Sequence, residues 1–424
     1  MEQSDQLTEQ QRQQVNAIAS LVTQADAASI RQGVELAAAL GDQAVFAALL
    51  AGVGAPPPMP EKQPRHRRFP TLVRGGIFEQ STIGDAWLGL AMAHLLAVSE
   101  LPLRNEVTSL QLGAPRKPHI ADPPLWIDGL DGLTSLTRLD LYISATDQGM
   151  DLRPLERFPR LSHLRMRGPG FPGPLPSLKS LEHLDGVRVD FHPDAVFPAL
   201  RSIRGRLQMT EPLNQARVPN LVEVEARGGL SLEGFESFGK LLCQGNVEVP
   251  GCRRIDRLQV VRGSFHAPDL RHVGELIGAG PGFDLTKLET LGAVQFNRTT
   301  KFAGGVFPPG TKLLHPKIAF WGPTLTTLGN VGELPGLETL NLVRVTAPIS
   351  LETLRHAKSL RSLDMRNSPG ITDLSPLIGL ANLEVVILRE NDAQEIPVEL
   401  ADKIERVGAK AARRSKRRPT SGKA

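Results

Sequence analysis

The chain has 424 residues, of which 41% are hydrophobic and 22% are charged, values typical of a protein that packs a core in water. Its 40 glycines and 34 prolines indicate frequent turns, and a single tyrosine with three tryptophans disfavours a surface built on aromatic stacking. The formal charge of +4 comes from one end, because residues 408–424 hold seven lysines and arginines and no acidic residue. We therefore expect a nearly neutral body followed by a basic tail.

The N-terminus and the cysteines indicate a compartment. The opening segment, MEQSDQLTEQQRQQ, is polar and lacks the apolar core of a signal peptide. No apolar run reaches the roughly 18 residues that a membrane-spanning helix needs. Cys243 and Cys252 are too few for a disulfide framework or a metal site, and they predict free, buried thiols in a reducing compartment. The expected location is cytoplasmic.

Residues 1–53 are predicted to form a module of three short helices, each with apolar residues three and four apart. Asp26 and Asp42 are predicted N-caps of the second and third helices, and Gly41 is predicted to end the second. So short a piece seldom holds a core by itself. We expect it either to dock on a neighbouring segment or to form a loosely tethered module.

A linker and a capping segment come next. Residues 54–70 are rich in proline and arginine, which predicts an extended, solvated connector. Residues 71–105 are the predicted N-terminal capping segment, because residues 84–98 (GDAWLGLAMAHLLAV) form an almost wholly apolar helix that must be covered. A solenoid otherwise ends on an open sheet edge, so we expect this helix to cover the first strand.

Leucine-containing segments repeat along the rest of the chain. In GLETLNLVRV, SLRSLDMRNS and NLEVVILREN the matching residues Leu340, Leu363 and Val386 are 23 residues apart. LTSLTRLDLYI (133–143) and FPRLSHLRMRG (158–168) show the same pattern at a slightly longer interval, from Leu139 to Leu164. The last apolar pair of each segment alternates as a short strand, and successive strands must be parallel because a return path separates them. A repeat on this period predicts a solenoid.

The repeat resembles that of leucine-rich repeat proteins over about residues 106–400, most closely at residues 133–141 and 334–391. The run ITDLSPLIGLANLEVVILREN is similar to the bacterial form of the repeat. The residues that carry the resemblance are Leu380, Leu383, Val386, Leu388, Asn391 and Ile396-Pro397.

The resemblance implies an α/β solenoid, in which a leucine-rich repeat horseshoe of short parallel strands carries an N-terminal helical module and helical caps. Residues 106–396 would form the solenoid, residues 397–408 a C-terminal capping helix, and residues 409–424 a basic disordered tail. The family usually binds other macromolecules on its concave face.

The chain departs from the family in two ways. The family's ladder asparagine is present at Asn391, but the equivalent positions hold Val345, Ser368, Ser144 and Pro169, so those loops must satisfy their backbone groups otherwise.

Between about residues 186 and 330 the spacing is uneven, and the interval from Leu258 to Val273 is much shorter than the others. We interpret this part as short turns with little or no helix, similar to receptor L-type turns. An interrupted array is the alternative.

The residues between the inward leucines are predicted to project from the concave face. Arginine recurs among them, and its planar guanidinium forms paired hydrogen bonds with carboxylate or phosphate. We therefore predict that this face binds an acidic or mixed protein surface, with a solvated face of paired charges as the alternative. The predicted partner-binding residues are Arg138, Asp140, Tyr142, His163, Arg165, Arg167, Arg188, Trp321, Asp364, Arg366 and Arg389.

The basic tail supports a second hypothesis, in which the protein is an accessory binder of nucleic acid or another anionic polymer. Several adjacent cations can neutralise phosphates weakly and without sequence preference. A disordered, solubilising end is the alternative. The residues concerned are Arg413, Arg414, Lys416, Arg417 and Arg418.

Motifs of catalysis are missing from the sequence. It contains no HExxH, no paired CxxC, no phosphate-binding loop ending in Gly-Lys-Ser/Thr and no GxSxG. The glycine-rich IGAGPGF (277–283) is interpreted as a turn, and the ten histidines show no metal-ligand spacing. We therefore expect no enzyme activity, cofactor, metal or small-molecule substrate. The predicted function is that of a cytoplasmic bacterial scaffold or adaptor; a partner that inhibits an enzyme by covering it is not distinguishable from a scaffold.

Overall fold

The structure of the chain is a computed structural model. It describes residues 7–53 except 25, 86–112, 127–143, 147, 149–169, 172–207, 212–278, 282–284, 287–297, 307–308, 310–322, 325–390, 392 and 394–408. The predicted linker at 54–70 and the basic tail at 409–424 lie outside these residues.

The chain folds as a parallel β-solenoid of stacked coils. It divides into two compact units, which we describe separately: the first comprises Met1–Glu211 with Ala216–Leu221, and the second comprises Pro212–Gln215 with Val222–Ala424.

Four α-helices begin the first unit. The predicted caps are confirmed: Asp26 Oδ1 accepts from the backbone N–H of Ser29 at 2.8 Å, Gly41 ends α2 with a φ of +61°, and Asp42 Oδ1 accepts from Ala44 N–H at 2.9 Å. Helices α2 and α3 pack on α4, and α4 contacts the first strand, as the apolar character of α4 predicts. The helices are α1 (Glu9–Val22), α2 (Ala27–Leu40), α3 (Gln43–Val53) and α4 (Ala86–Val98).

Five parallel strands follow in the first unit, hydrogen-bonded in chain order. Their inward leucines and isoleucine form a buried column that runs from Leu110 to Ile203. Leu139 pairs with Leu164, and Leu164 pairs with Leu184, so the second of these two coils is shorter than the first. The strands are β1 (Ser109–Leu112), β2 (Arg138–Tyr142), β3 (His163–Arg167), β4 (His183–Val189) and β5 (Ser202–Leu207).

The second unit contains two parallel sheets. The main sheet has the order β7-β9-β11-β13-β15-β17-β18-β19-β20-β21 with β16 paired to β15, and the second sheet has the order β14-β12-β10-β8-β6. The strands are β6 (Leu213–Asn214), β7 (Glu223–Ala226), β8 (Leu230–Glu233), β9 (Ser237–Gln244), β10 (Val247–Glu248), β11 (Arg254–Arg262), β12 (Ser264–His266), β13 (His272–Gly278), β14 (Gly282–Asp284), β15 (Thr290–Asn297), β16 (Lys312–Leu313), β17 (Lys317–Trp321), β18 (Thr339–Val343), β19 (Ser362–Asp364), β20 (Val385–Arg389) and β21 (Ile404–Val407).

The coils from β9 to β15 are short and regular. Leu241 pairs with Leu258, Leu258 with Leu276 and Leu276 with Val294, so consecutive coils are nearly equal in length. The prediction of short turns without α-helix is confirmed for the described part of this region. The short interval from Leu258 to Val273 compares residues that are not equivalent. In the structure Val273 is the register partner of Ile255, and Leu258 is the partner of Leu276.

The 23-residue repeat is confirmed near the C-terminus. Leu340 is the register partner of Leu363, and Leu363 is the partner of Val386, all three fully buried. The return paths carry short 3-10 helices, at Val331–Glu333, Glu352–His356 and Ser375–Leu377. α-Helices are not found in the described return paths, so the α/β character that the family implies is not confirmed.

The C-terminal end differs from the predicted capping helix over 397–408. A 3-10 helix spans Val398–Lys403, and β21 pairs in parallel with β20 after it. Ile404 extends the inward column beside Val386, and this cross-strand contact outweighs the helical spacing of the apolar residues. Among the described helices, none is both long and apolar enough to cross a membrane.

Candidate partner-binding face

The outward side of strands β2 to β5 is rich in arginine. Along β2, Leu139 and Leu141 are buried, whereas the residues between and beside them reach the surface, as strand alternation requires. The same alternation holds in β3. We call this surface the arginine face and define it by Arg138, Asp140, Tyr142, His163, Arg165, Arg167, His183, Asp185, Ser202, Arg204 and Arg206.

One row of opposite charges crosses the arginine face. Register places Asp140 beside Arg165, Arg165 beside Asp185 and Asp185 beside Arg204. Arg165 Nε lies 3.0 Å from Asp185 Oδ2, but its N–H does not point at the carboxylate, so the ion pair leaves this donor without a hydrogen bond. Arg138 Nε lies 3.4 Å from Asp140 Oδ1. The aspartates therefore neutralise their arginine neighbours only in part.

Positive charge remains in excess on this face. It holds five arginines and two aspartates, which leaves three formal positive charges when its histidines are neutral. Arg167 and Arg206 are exposed, and neither forms an ion pair within the described part of the chain. Such a surface attracts acidic groups and repels basic ones.

Two histidines stack beside the charged row. His163 on β3 and His183 on β4 are register partners, and their ring centroids are 4.5 Å apart with an interplanar angle of 36°. Each ring contacts a serine through Nδ1: His163 Nδ1 lies 2.9 Å from Ser162 Oγ, and His183 Nδ1 lies 2.7 Å from Ser202 Oγ. Nε2 of each ring forms no hydrogen bond within the described structure, and Glu182 Oε2 lies 3.9 Å from His183 Nε2.

The tautomer of His163 follows from its serine. The Ser162 hydroxyl has one hydrogen, which it donates to the carbonyl oxygen of Thr137 at 3.2 Å. Ser162 Oγ therefore accepts from His163 Nδ1–H, and the neutral ring has a bare lone pair at Nε2. Burial, His183 and Arg138 lower the pKa of His163 below its ordinary value of 6.5, against smaller opposing effects of Glu182 and Asp140. The ring is neutral near pH 7 as a consequence.

The predicted partner-binding residues fall in both units. The first unit contains Arg138, Asp140, Tyr142, His163, Arg165 and Arg167 on the arginine face. Arg188 lies in β4 at a register shift between Val187 and Val189, and its side chain is outside the described residues.

In the second unit, Trp321 ends β17 with 39% of its surface exposed. Asp364 is buried, and Arg366 holds its carboxylate through two nitrogens at 2.9 and 2.6 Å. Arg389 Nη1 donates to Asn367 Oδ1 at 2.5 Å. The Asp364 carboxylate is therefore paired with Arg366 within the chain and does not project as a partner-binding group. The tail residues Arg413, Arg414, Lys416, Arg417 and Arg418 lie outside the described residues.

Sequence reasoning missed part of the arginine face. His183, Asp185, Arg204 and Arg206 share it because the coil shortens after β3. The His-Leu pair that occurs at His163 and again at His183 is the signal that aligns these strands.

The second unit has an outward row of a different character. On the main sheet of the second unit, Leu242, Gln259, Ile277, Gln295 and Ala319 are successive register partners. All but Ala319 are half-buried, and the row carries no charge. This row is therefore apolar and amide-bearing, unlike the charged row of the arginine face.

Reactive and metal-binding groups are sparse in the described structure. Cys243 and Cys252 are free and buried, as expected from the sequence. Burial raises the pKa of Cys243 to about 12 and that of Cys252 to about 11, so neither is an activated nucleophile. The described residues contain no group of three or more histidine, cysteine, aspartate or glutamate side chains placed to hold a metal ion.

Comparison with models of known protein families gives no match, and no curated protein matches the chain. The class that the fold and the face define is a parallel β-solenoid with an arginine-rich outward surface.

Proposed function

We propose that the protein is a non-catalytic interaction scaffold or adaptor that binds an acidic partner protein through the arginine face. The observation that supports the proposal is the excess of five arginines over two aspartates on the outward side of four adjacent strands. Arginine is favoured where carboxylates are recognised in pairs of hydrogen bonds. The face also contains the only tyrosine of the chain, a residue type common at binding hot spots.

The ion pairs on this face are weak enough to be exchanged for a partner. The side chain of Arg138 is 49% exposed and that of Asp185 is also 49% exposed. Exposed pairs of this kind stabilise a protein by no more than about 1 kcal/mol. A partner protein that excludes water from the face would form stronger, charge-assisted hydrogen bonds through its carboxylates.

The finer assignment, a bacterial leucine-rich repeat protein of the cytoplasm with a horseshoe shape, is part of the proposal. Its support is the leucine pattern, together with the 23-residue register of Leu340, Leu363 and Val386. A partner that blocks an enzyme active site by covering it would use the same face and the same charges.

A charge-reversal pair tests the function. Arg167→Glu with Arg206→Glu changes two exposed residues of the arginine face that have no ion pair within the described chain. The matched control, Arg160→Glu with Arg344→Glu, makes the same charge change at exposed turn residues off this face. Quantitative co-purification from the source cells is expected to lose its partners with the first pair and keep them with the second. Equal partner recovery for both variants would overturn the proposal.

The runner-up, binding of nucleic acid through the tail, is supported by the seven basic residues of 408–424. Truncation after Gly408 would then abolish retention on single- or double-stranded DNA at low salt. Unchanged retention would contradict this second function.

A further inference from the structure

The stacked histidines offer two ring nitrogens for a ligand. His163 and His183 each commit Nδ1 to a serine, at 2.9 and 2.7 Å. His183 Nε2 lies 3.9 Å from Glu182 Oε2, beyond hydrogen-bond distance. His163 Nε2 has no hydrogen bond within the described structure. A neutral ring at this nitrogen only accepts, so it can bind a carboxylate only after gaining a proton.

Charged groups of both signs lie on the strands around the pair. These groups lie on strands β2 to β5 and on the residues that lead into β4 and β5. Those groups are Arg138 and Asp140 on β2, Arg165 on β3, Glu182 and Asp185 at β4, and Arg201 and Arg204 at β5.

We propose that His163 and His183, with Arg138 beside them, form a proton-linked site for a carboxylate side chain of the acidic partner. The inference rests on the proposed function and adds a regulation to it: the partner binds more tightly as the pH falls from mildly alkaline to mildly acidic values. The site takes up protons when the partner arrives and releases them when it leaves.

The physical cause is the environment of the His163 ring, in which burial, His183 and Arg138 all oppose the charged form. The His183 ring, at a centroid distance of 4.5 Å, and Arg138 add to the effect of burial, and together they lower the pKa of His163 in the free protein. A bound carboxylate adds negative charge to that of Glu182 and Asp140 and supplies a hydrogen-bond acceptor for Nε2–H, so the bound state holds protons more tightly. By reciprocity, protons then favour the bound state. Aspartate and glutamate of the partner remain ionised down to about pH 5, so they do not cancel the effect above that value.

The experiment measures binding of a synthetic oligoglutamate peptide to the full chain by calorimetry at about pH 8 and about pH 6. The variants are His163→Gln with His183→Gln, the Arg167→Glu/Arg206→Glu pair, and the control His315→Gln, whose histidine is exposed in the second unit. For the wild type and the control, the affinity should rise several-fold from the higher to the lower pH, since a pKa that rises by one unit on binding contributes at most about tenfold. The double histidine variant should bind with little pH dependence.

The outcomes separate failure of the proton-linked site from failure of the proposed function. Binding that the arginine substitutions weaken, but whose pH dependence survives loss of both histidines, would overturn the proton-linked site and leave the proposed function in place. Binding of the peptide at neither pH would overturn both the acidic-partner function and the site.

A second measurement requires no substitution and does not depend on a variant's stability. NMR titration of the imidazole resonances in the wild-type chain should show the pKa of His163 rising when the peptide saturates the protein. A pKa that the bound peptide does not raise would overturn the proton-linked site.

Discussion

The side chain of Ser368 joins two points of the preceding coil. Its hydroxyl accepts a hydrogen bond from the backbone N–H of Val345 at 3.0 Å and donates one to the carbonyl oxygen of Leu342 at 2.6 Å. Ser368 is fully buried, and Gln394 donates to its carbonyl oxygen at 3.0 Å from the following coil. A buried serine therefore supplies, at this position, the hydrogen bonds that connect neighbouring coils.

Removal of this hydroxyl should destabilise the second unit. Ser368→Ala leaves the Val345 N–H and the Leu342 carbonyl without this buried partner, and the free energy of unfolding should fall by about 1–3 kcal/mol. Urea denaturation measures the change. The control is Ser237→Ala, because Ser237 is exposed, forms no side-chain hydrogen bond within the described structure and should change stability by no more than about 0.5 kcal/mol. Equal stability of the two variants would refute the role given to Ser368.

Gly292 lies where two strand backbones come too close for a side chain. A Cβ at this position would lie 1.7 Å from the carbonyl oxygen of Gly274 in the neighbouring strand. Gly292→Ala must push β15 away from β13 and should lower the free energy of unfolding by about 1–3 kcal/mol. Gly229→Ala is the control, since its Cβ would meet Asn246 O at an ordinary 3.7 Å. Thermal denaturation that does not distinguish the two alanines would show that the strands are not packed in this way.

The two cysteines provide a test of the core that leaves the chain unaltered. With the pKa of Cys243 at about 12 and that of Cys252 at about 11, the thiolate fraction at pH 8 is about one in ten thousand and about one in a thousand. A thiol reagent should therefore label neither residue in the native protein within minutes and both in denaturant. Rapid labelling of the native chain would mean that one of the cysteines is exposed.

The helical module should lose stability in acid. Hydrogen bonds from Gln11 to Asp42 and from Ser29 to Asp26 lower the pKa of each carboxyl below its ordinary value of 3.8. Because the pKa values are lower in the folded state, both contributions are fully present above about pH 4 and are lost as the pH falls through the folded-state values.

Hydrogen exchange of α1, α2 and α3 measured from about pH 5 down to about pH 3 reports this loss. Asp26→Asn with Asp42→Asn removes the titrating groups and keeps capping oxygens, so the module of this variant should depend less on pH in that range. A variant as acid-sensitive as the wild type would contradict the assignment.

The inward column was predictable because stacking constrains it. Parallel coils place the same position of each repeat against its neighbour, so Leu340, Leu363 and Val386 could be aligned from their spacing alone. The N-caps Asp26 and Asp42 were equally predictable, since a cap depends on residues within one turn of helix.

The arginine face could be predicted only in part. Its membership depends on register between coils of different length, and the step from β3 to β4 is shorter than the step from β2 to β3. The only local signal of that change is the His-Leu pair that occurs at His163 and again at His183, and the face predicted from spacing does not include His183 and Arg204. The burial of Asp364 was also not predicted. The guanidinium of Arg366 holds its carboxylate, and strand alternation does not predict that contact.

A photoreactive phenylalanine analogue in place of Tyr142 tests the central claim most directly. Tyr142 lies on the arginine face, half-buried at the end of β2, and the analogue preserves its ring. The same analogue at Val398, which is 88% exposed in the second unit, is the control. After irradiation in the source cells, mass spectrometry should find a protein joined through an acidic segment at position 142 and not at 398. Adducts at 398 with none at 142 would contradict binding through the arginine face.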